Sequence, residues 1–292
     1  MRVLISTDTS SVLKKGLLEK HGISVFPLNV IINGEEFLDG VTINHAELCS
    51  AMRSGKDIKT STPPLGQIYE YFEKLLKEGY DKIIHFTISS KLSSMYELFK
   101  NVAETEFKDK LYVVDSYSVS AAMLSHVLYA KLEVEKGTPI EDILENLKGR
   151  KDKACITFIP ENLTALKNGG RISPAVALIG NALGIKPVIK LIDGQLEKSG
   201  TTRHVKKTVL EELDNFAKEY PEQDFDYTVI NFDAKEDVLD YVWSHAKKAY
   251  PNQKILEGVL PINVCAHCGP GTVGIIAAPK INGKSLAEVL GE

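Results

Sequence analysis

Short apolar runs alternate with longer amphipathic stretches along the whole chain, and this alternation limits the possible folds more than any other property. Residues 82–87 and 111–115 have the length and composition of buried strands. Residues 65–79 and 119–136 instead carry apolar side chains at helical spacing. Strands that alternate with helices are typical of sheets covered by helices. The sequence therefore predicts the α/β class, built from parallel α/β layers.

The length of 292 residues favours two domains over one. A charged stretch at 148–153 interrupts the pattern, so we predict an N-terminal α/β domain of residues 1–150 and a C-terminal α/β domain of residues 151–292. In the second half the pattern predicts an apolar helix over 174–183, a hairpin at Asp193-Gly194 and a strand over 255–264.

The composition excludes several classes of protein. A net charge of −4 lacks the basic excess of a nucleic-acid-binding surface. Four scattered cysteines are too few for a disulfide framework in a chain of this length. No stretch approaches the ~20 apolar residues that a membrane span needs. We expect a soluble, cytoplasmic protein with reduced thiols, no nucleic-acid partner and no membrane span.

Four polar clusters follow predicted strands, and they are the first candidate sites. They lie at residues 6–11, 59–64, 88–96 and 114–116. Each cluster alone is as well explained by helix capping as by ligand binding. In an open parallel sheet, however, the loops after the strands gather at one edge, where ligands bind. Together the clusters indicate a hydroxyl-rich rim suited to a carboxylate or a phosphate.

Two glycine-containing motifs lie in the second half. Gly169-Gly170-Arg171 is either a helix C-cap with a solvated arginine or a place of close backbone approach. The segment 265–274 contains G-x-G-x-x-G, but a strand follows it directly, which excludes a dinucleotide-binding turn. Cys265 and Cys268 have metal-ligand spacing without a second ligand pair, so we predict no metal site. His267 is better interpreted as a hydrogen-bond donor or proton carrier in a cleft.

These motifs, taken in order, resemble those of the DegV family over nearly the whole chain. The matching segments are Ser6-Thr7-Asp8-Thr9-Ser10, Thr60-Ser61-Thr62-Pro63-Pro64, the segment 89–96, Gly169-Gly170-Arg171-Ile172-Ser173, Ile185-Lys186-Pro187, Arg203 and His267-Cys268-Gly269-Pro270-Gly271. Each match is weak alone, and the ordered set is specific.

The resemblance implies two α/β domains of the DegV type, with a lipid-binding cleft between them that holds a long-chain fatty acid in an apolar tunnel. Its carboxylate would be held by Thr60 or Ser61 and by Ser93, with His267 nearby. The full set of ligand-binding residues implied in this way is Thr60, Ser61, Thr62, Ser93, Ser94, Gly170 and His267. The family acts as the acyl-carrying subunit of a fatty-acid kinase, in which a separate ATP-binding subunit phosphorylates the carboxylate in lipid metabolism. Arg171 and Arg203 would face that kinase or the transferred phosphoryl group.

The absence of a P-loop motif from the sequence agrees with a subunit that presents a substrate. We therefore expect a lipid-binding protein that is not itself an enzyme, with no catalytic residue and no cofactor. Ser94-Met95, Thr62, Pro64 and Cys268 depart from the family pattern, and these departures bear on chain-length preference and head-group geometry. Two alternatives remain: a stand-alone serine hydrolase or phosphatase using His267 and Asp8, and a sensor or transport module.

Overall fold

The computed structural model describes residues 1–14, 16–151, 153–172 and 184–292, and within them eleven α-helices and thirteen strands. In chain order the strands are β1 (Val3–Asp8), β2 (Ser24–Phe26), β3 (Asn29–Ile32), β4 (Glu35–Leu38), β5 (Ile58–Ser61), β6 (Lys82–Thr87), β7 (Leu111–Asp115), β8 (Cys155–Ile159), β9 (Lys186–Ile192), β10 (Gln195–Thr202), β11 (Phe225–Phe232), β12 (Leu256–Val259) and β13 (Thr272–Pro279). The helices are α1 (Leu17–Lys20), α2 (His45–Arg53), α3 (Leu65–Lys77), α4 (Met95–Glu106), α5 (Ser120–Lys136), α6 (Ile140–Lys151), α7 (Thr164–Gly169), α8 (Val205–Glu219), α9 (Glu236–Ala249), α10 (Ile262–Cys268) and α11 (Leu286–Leu290).

The strands form three sheets. A four-stranded sheet has the order β2-β1-β6-β7 and is entirely parallel. A small antiparallel sheet has the order β4-β3-β5. The third sheet has the order β10-β9-β8-β13-β11-β12, and only its β11–β12 pair is parallel. The prediction of parallel layers is thus confirmed for the first sheet, whereas the six-stranded sheet is mixed.

Helix α5 lies between the two larger sheets. It contacts strand β1 of the parallel sheet and strand β13 of the six-stranded sheet. Its residues from Ser120 to Ala130 are all buried, because apolar and small side chains occur on every face of the helix. One apolar core therefore runs from the parallel sheet through α5 to the near face of the six-stranded sheet. A second core, including Leu213, Phe216 and Tyr227, lies under α8 and α9.

Most predicted elements are confirmed, and the differences have local causes. The hairpin at Asp193-Gly194 joins β9 to β10 with both residues at positive φ, as the turn requires. The predicted strand over 255–264 is wrong beyond Val259. Pro261 precedes the first residue of helix α10, a position where its fixed φ favours helix initiation and its missing N–H costs nothing.

Two expectations concern the middle of the chain. The charged stretch at 148–153 continues helix α6 as far as Lys151. The proposed boundary at residue 150 falls in the last turn of this helix, and the division into two domains stays a prediction. The predicted helix over 174–183 lies outside the described residues.

Candidate functional site

A narrow cavity lies between the parallel and six-stranded sheets and is lined by residues from both sides of position 150. The cavity together with its opening to solvent encloses about 850 Å³ of space not filled by protein atoms. A water-sized sphere fits in only a small part of this space, so the cavity is narrow in cross-section. Its wall is mostly apolar, with side chains such as Leu92, Met95, Phe158, Leu191 and Leu196.

Five of the predicted site residues line this cavity. They are Thr60, Ser61, Ser93, Arg171 and His267. Thr60 and Ser61 end strand β5, Ser93 lies in the loop between β6 and α4, Arg171 follows helix α7, and His267 lies on α10. The structure therefore brings together residues that are up to 207 positions apart in sequence.

His267 forms a hydrogen bond between its Nε2 atom and the Thr60 hydroxyl, at 2.9 Å. Its Nδ1 atom is buried without a hydrogen-bond partner among the described residues. Burial, together with the nearby positive charge of Arg171, lowers the pKa of His267 to about 4. The imidazole is therefore neutral at physiological pH, and one ring nitrogen is a donor while the other is an acceptor.

Gly169 makes the approach of His267 possible. A Cβ atom built on Gly169 would lie 2.9 Å from Cε1 and 3.3 Å from Cγ of His267, and nearer still to Nδ1. The ring therefore packs directly on the backbone of the last residue of α7. The carbonyl oxygen of Gly169 also accepts a hydrogen bond from the Arg171 guanidinium, so this glycine contacts two predicted site residues.

The loop that carries Ser93 is held from several directions. Two buried or partly buried carboxylates bind its backbone: Asp8 accepts from the N–H of Ile88 at 2.8 Å, and Asp115 accepts from the N–H of Ser90 at 3.1 Å. Burial raises the pKa of Asp8 to about 6, and its backbone hydrogen bonds oppose this rise. Arg171 donates from Nε to the carbonyl oxygen of Leu92 at 3.2 Å. Ser93 is thus presented by a loop of defined geometry.

The β9–β10 hairpin contacts the same loop. The hydroxyl of Ser89 donates to the carbonyl oxygen of Gly194, at the hairpin tip, at 2.7 Å, and this contact is buried. A Cβ atom at Gly194 would lie 2.7 Å from that hydroxyl and 3.1 Å from the Tyr117 ring, so the tip must be glycine. The two strands of the hairpin contribute Leu191 and Leu196 to the cavity wall.

Other predicted residues lie outside the cavity lining. Thr62, Ser94 and Gly170 are exposed at its margins, and Gly170 adopts positive φ as the C-cap of α7. Arg203 is exposed where β10 ends before α8. The polar clusters at 6–11 and 114–116 are mainly structural, since Asp8 and Asp115 bind the backbone of other loops. The capping interpretation agrees with the contacts for the cluster at 6–11, because Asp8 caps the short 3₁₀ helix Thr9–Ser11.

The serine-hydrolase alternative lacks the geometry it needs. A serine hydrolase needs a carboxylate on the second nitrogen of its histidine, but Nδ1 of His267 faces Gly169, and Asp8 binds the backbone of Ser10 and Ile88. Burial raises the pKa of Cys268 to about 12 and that of Cys265 well above its usual value, so both thiols are protonated in their apolar surroundings. Among the described residues, no helix has the length and apolar character to cross a membrane.

The sequence did not identify several polar residues of the site. Asn29, Ser120 and Asn263 also line the cavity, and each has a buried side-chain oxygen with no hydrogen-bond partner in the part of the chain described here. Asn263 lies in the segment that was predicted as strand. The proline before α10 was the available signal, because proline is common at helix starts.

Comparison with known proteins agrees with this architecture. The family model described as "Uncharacterised protein, DegV family" matches residues 2–280. A DegV domain-containing protein of Staphylococcus aureus (strain N315) is 30% identical over 283 residues, which cover 95% of this chain and 99% of the relative. A fatty-acid-binding DegV-family protein of Thermus thermophilus superimposes with a TM-score of 0.83 at 27% identity, over 96% of this chain and 100% of the other. A stearic-acid-binding protein of Eubacterium ventriosum gives a TM-score of 0.85 at 26% identity, over 97% and 99%. The chain belongs to the DegV family.

Proposed function

We propose that this protein binds a long-chain fatty acid in the cavity, with the carboxylate at Thr60 and Ser93 beside His267 and the tail against the apolar wall. The observation that carries the proposal is a narrow apolar cavity with hydroxyl, imidazole and guanidinium groups gathered in its lining. The fatty-acid-binding structural neighbours from Thermus thermophilus and Eubacterium ventriosum support it.

Burial of the tail is a large favourable contribution to the proposed binding. Each methylene group removed from water contributes ~0.8 kcal/mol, so about 15 of them contribute roughly 12 kcal/mol before other costs. Loss of translational and rotational freedom offsets about 4–15 kcal/mol of the total. The tail therefore supplies most of the affinity, and the polar groups decide which end of the ligand lies where.

The carboxylate needs hydrogen-bond donors, because an unpaired buried charge is strongly unfavourable. We assign the proton of neutral His267 to Nε2, because a protonated Nδ1 would be a buried donor without a partner among the described residues. Nε2–H then donates to the Thr60 oxygen, which leaves the Thr60 hydroxyl hydrogen free to point at the ligand. Ser93 supplies a second hydroxyl, and Arg171 adds positive charge at the same place.

We further propose that the bound acid is presented to a separate ATP-binding kinase subunit, which phosphorylates the carboxylate. The sequence has no P-loop of its own. Phosphoryl transfer depends on positioning and on positive charge more than on covalent help from the acceptor protein. Arg171 at the cavity and the exposed Arg203 are the residues that we assign to this step.

Native mass spectrometry of the purified protein tests the binding proposal. We expect a mass surplus equal to a C16–C18 acid, and a chain without bound lipid that also fails to take up added palmitate would contradict the proposal. Ser93→Ala removes one donor at a cost of about 1–3 kcal/mol, or roughly 5- to 150-fold in Kd. Ser94→Ala, in the exposed neighbouring position, is the matched comparison. An equal effect of both variants would place the head group elsewhere.

A further inference from the structure

Glu36 shares one carboxylate oxygen between two residues of the cavity lining. Its Oε1 atom accepts a hydrogen bond from the Ser61 hydroxyl at 3.0 Å and from the Asn29 amide at 2.6 Å. Ser61 and Asn29 line the cavity, whereas Glu36 is exposed on edge strand β4 and is absent from the lining. A negatively charged side chain therefore stands directly behind two polar groups of the wall.

The strand register produces this arrangement. Asn29 is paired with Ser61 across β3 and β5, so their side chains lie on the same face of the small sheet. Glu36 is paired with Ile31, two residues from Asn29, and its side chain is on that face as well. The contacts are thus fixed by regular strand pairing and not by a loop.

The consequence follows from the number of hydrogens available. A serine hydroxyl has one hydrogen to donate. While Ser61 donates to Glu36, it cannot donate to a ligand carboxylate. Asn29 also directs its donor group at Glu36. Its NH₂ group donates to the Glu36 carboxylate, and its Oδ1 atom is buried without a partner among the described residues.

We propose that Glu36 lowers the affinity of the cavity for its ligand. It accepts the hydrogen bond of the Ser61 hydroxyl, which is then not available to the carboxylate of the ligand. This inference rests on the proposed binding of a fatty acid at this cavity. A protein that passes its ligand to a partner must release the carboxylate. Release is easier when the site uses fewer hydrogen-bond donors than it contains. Thr60 and Ser93 then donate hydrogen bonds to the carboxylate, and Ser61 does not.

A double-mutant cycle on the full chain tests the proposal. The four proteins are the wild type, Glu36→Ala, Ser61→Ala and the double variant, and palmitate is titrated against each by displacement of a fluorescent fatty acid. Glu36→Ala releases the Ser61 donor, so we expect its Kd to fall about fivefold. Glu36→Gln keeps an oxygen acceptor for Ser61 and should tighten binding less than Glu36→Ala does.

The cycle has clear outcomes. If the gain from Glu36→Ala disappears in the Ser61→Ala background, the inference is supported. If the gain persists there, it arises from the lost charge or from Asn29, and the inference is overturned. An unchanged or raised Kd for a folded Glu36→Ala variant also overturns it. A wild-type protein that binds no palmitate contradicts the proposed function itself, which distinguishes the two failures.

Discussion

Replacing Gly169 by alanine should displace the histidine of the site while leaving the backbone intact. Gly169 ends helix α7 without positive φ, so alanine is compatible with its conformation. Helix propensity alone favours alanine over glycine by about 1 kcal/mol. The three heavy atoms nearest to a Cβ atom there all belong to the ring of His267. Helix propensity therefore favours alanine at position 169, whereas the packing of the His267 ring requires glycine.

The size of the effect follows from the same contacts. Non-bonded heavy atoms rest about 3.5–4.0 Å apart, so the ring must move by roughly 1.5 Å. This movement breaks the 2.9 Å bond between His267 and Thr60. Losing that bond, and with it the orientation of the Thr60 hydroxyl, costs about 0.5–1.5 kcal/mol of ligand binding, or roughly 2- to 12-fold in Kd.

Displacement titration with a fluorescent fatty acid measures this change, and chemical denaturation measures stability in parallel. Gly149→Ala is the matched control, because Gly149 is also helical and a Cβ atom there would meet nothing within 4 Å. We expect the control to be neutral or stabilising, with unchanged affinity. In a His267→Ala background, Gly169→Ala should no longer weaken binding, because the obstructed ring is gone. Equal affinity of Gly169→Ala and wild type would refute the role that we give to His267.

Three further predictions address other parts of the site. Burial raises the pKa of Asp39, which accepts from the N–H of Asn263, to about 7. Between pH 4 and 7 the carboxyl group of Asp39 is therefore protonated in the folded state and ionised in the unfolded state. The stabilisation that comes from this proton is complete near pH 4 and is lost as the pH rises to 7. In urea unfolding, the free energy of unfolding of Asp39→Asn should therefore fall less steeply with pH than that of the wild type, by about 1.4 kcal/mol per pH unit. Ser89→Ala removes the buried bond to Gly194 and should lower the unfolding free energy by about 1–3 kcal/mol, whereas an unchanged urea midpoint would contradict its holding role. Arg203→Ala should leave palmitate affinity unchanged and slow phosphorylation by a cognate kinase, and loss of palmitate binding would show that our division of roles is wrong.

The sequence predicted those parts of the fold that depend on local patterns. Strands β6 and β7 and the β9–β10 turn follow from apolar runs and from the Asp193-Gly194 pair. The order of the six-stranded sheet did not follow. Strand β13, the last in the chain, inserts between β8 and β11, and such long-range pairing leaves no local signal in the sequence.

The site shows the same division between local and long-range information. Ser93 and Thr60 were predicted because polar residues after strands mark the edge where ligands bind, and because the motifs resemble those of a known family. Glu36 was not predicted, since its importance depends on the register of a hairpin and on the position of Ser61 in a third strand. The closeness of Gly169 to His267 likewise depends on how α7 packs on α10.

The two walls of the cavity are joined by a shared apolar core and by hydrogen bonds. The hydrogen bonds that cross position 150 at the cavity include His267 to Thr60, Arg171 to Leu92, and Ser89 to Gly194. Each such bond contributes about 0.5–1.5 kcal/mol net and adds to the larger contribution of the apolar side chains that the two walls bury together. A ligand that contacts both walls and does not bind the unfolded chain stabilises the folded state by mass action. Bound fatty acid should therefore raise the free energy of unfolding, and the weak head-group site that we assign to Glu36 limits the size of this increase.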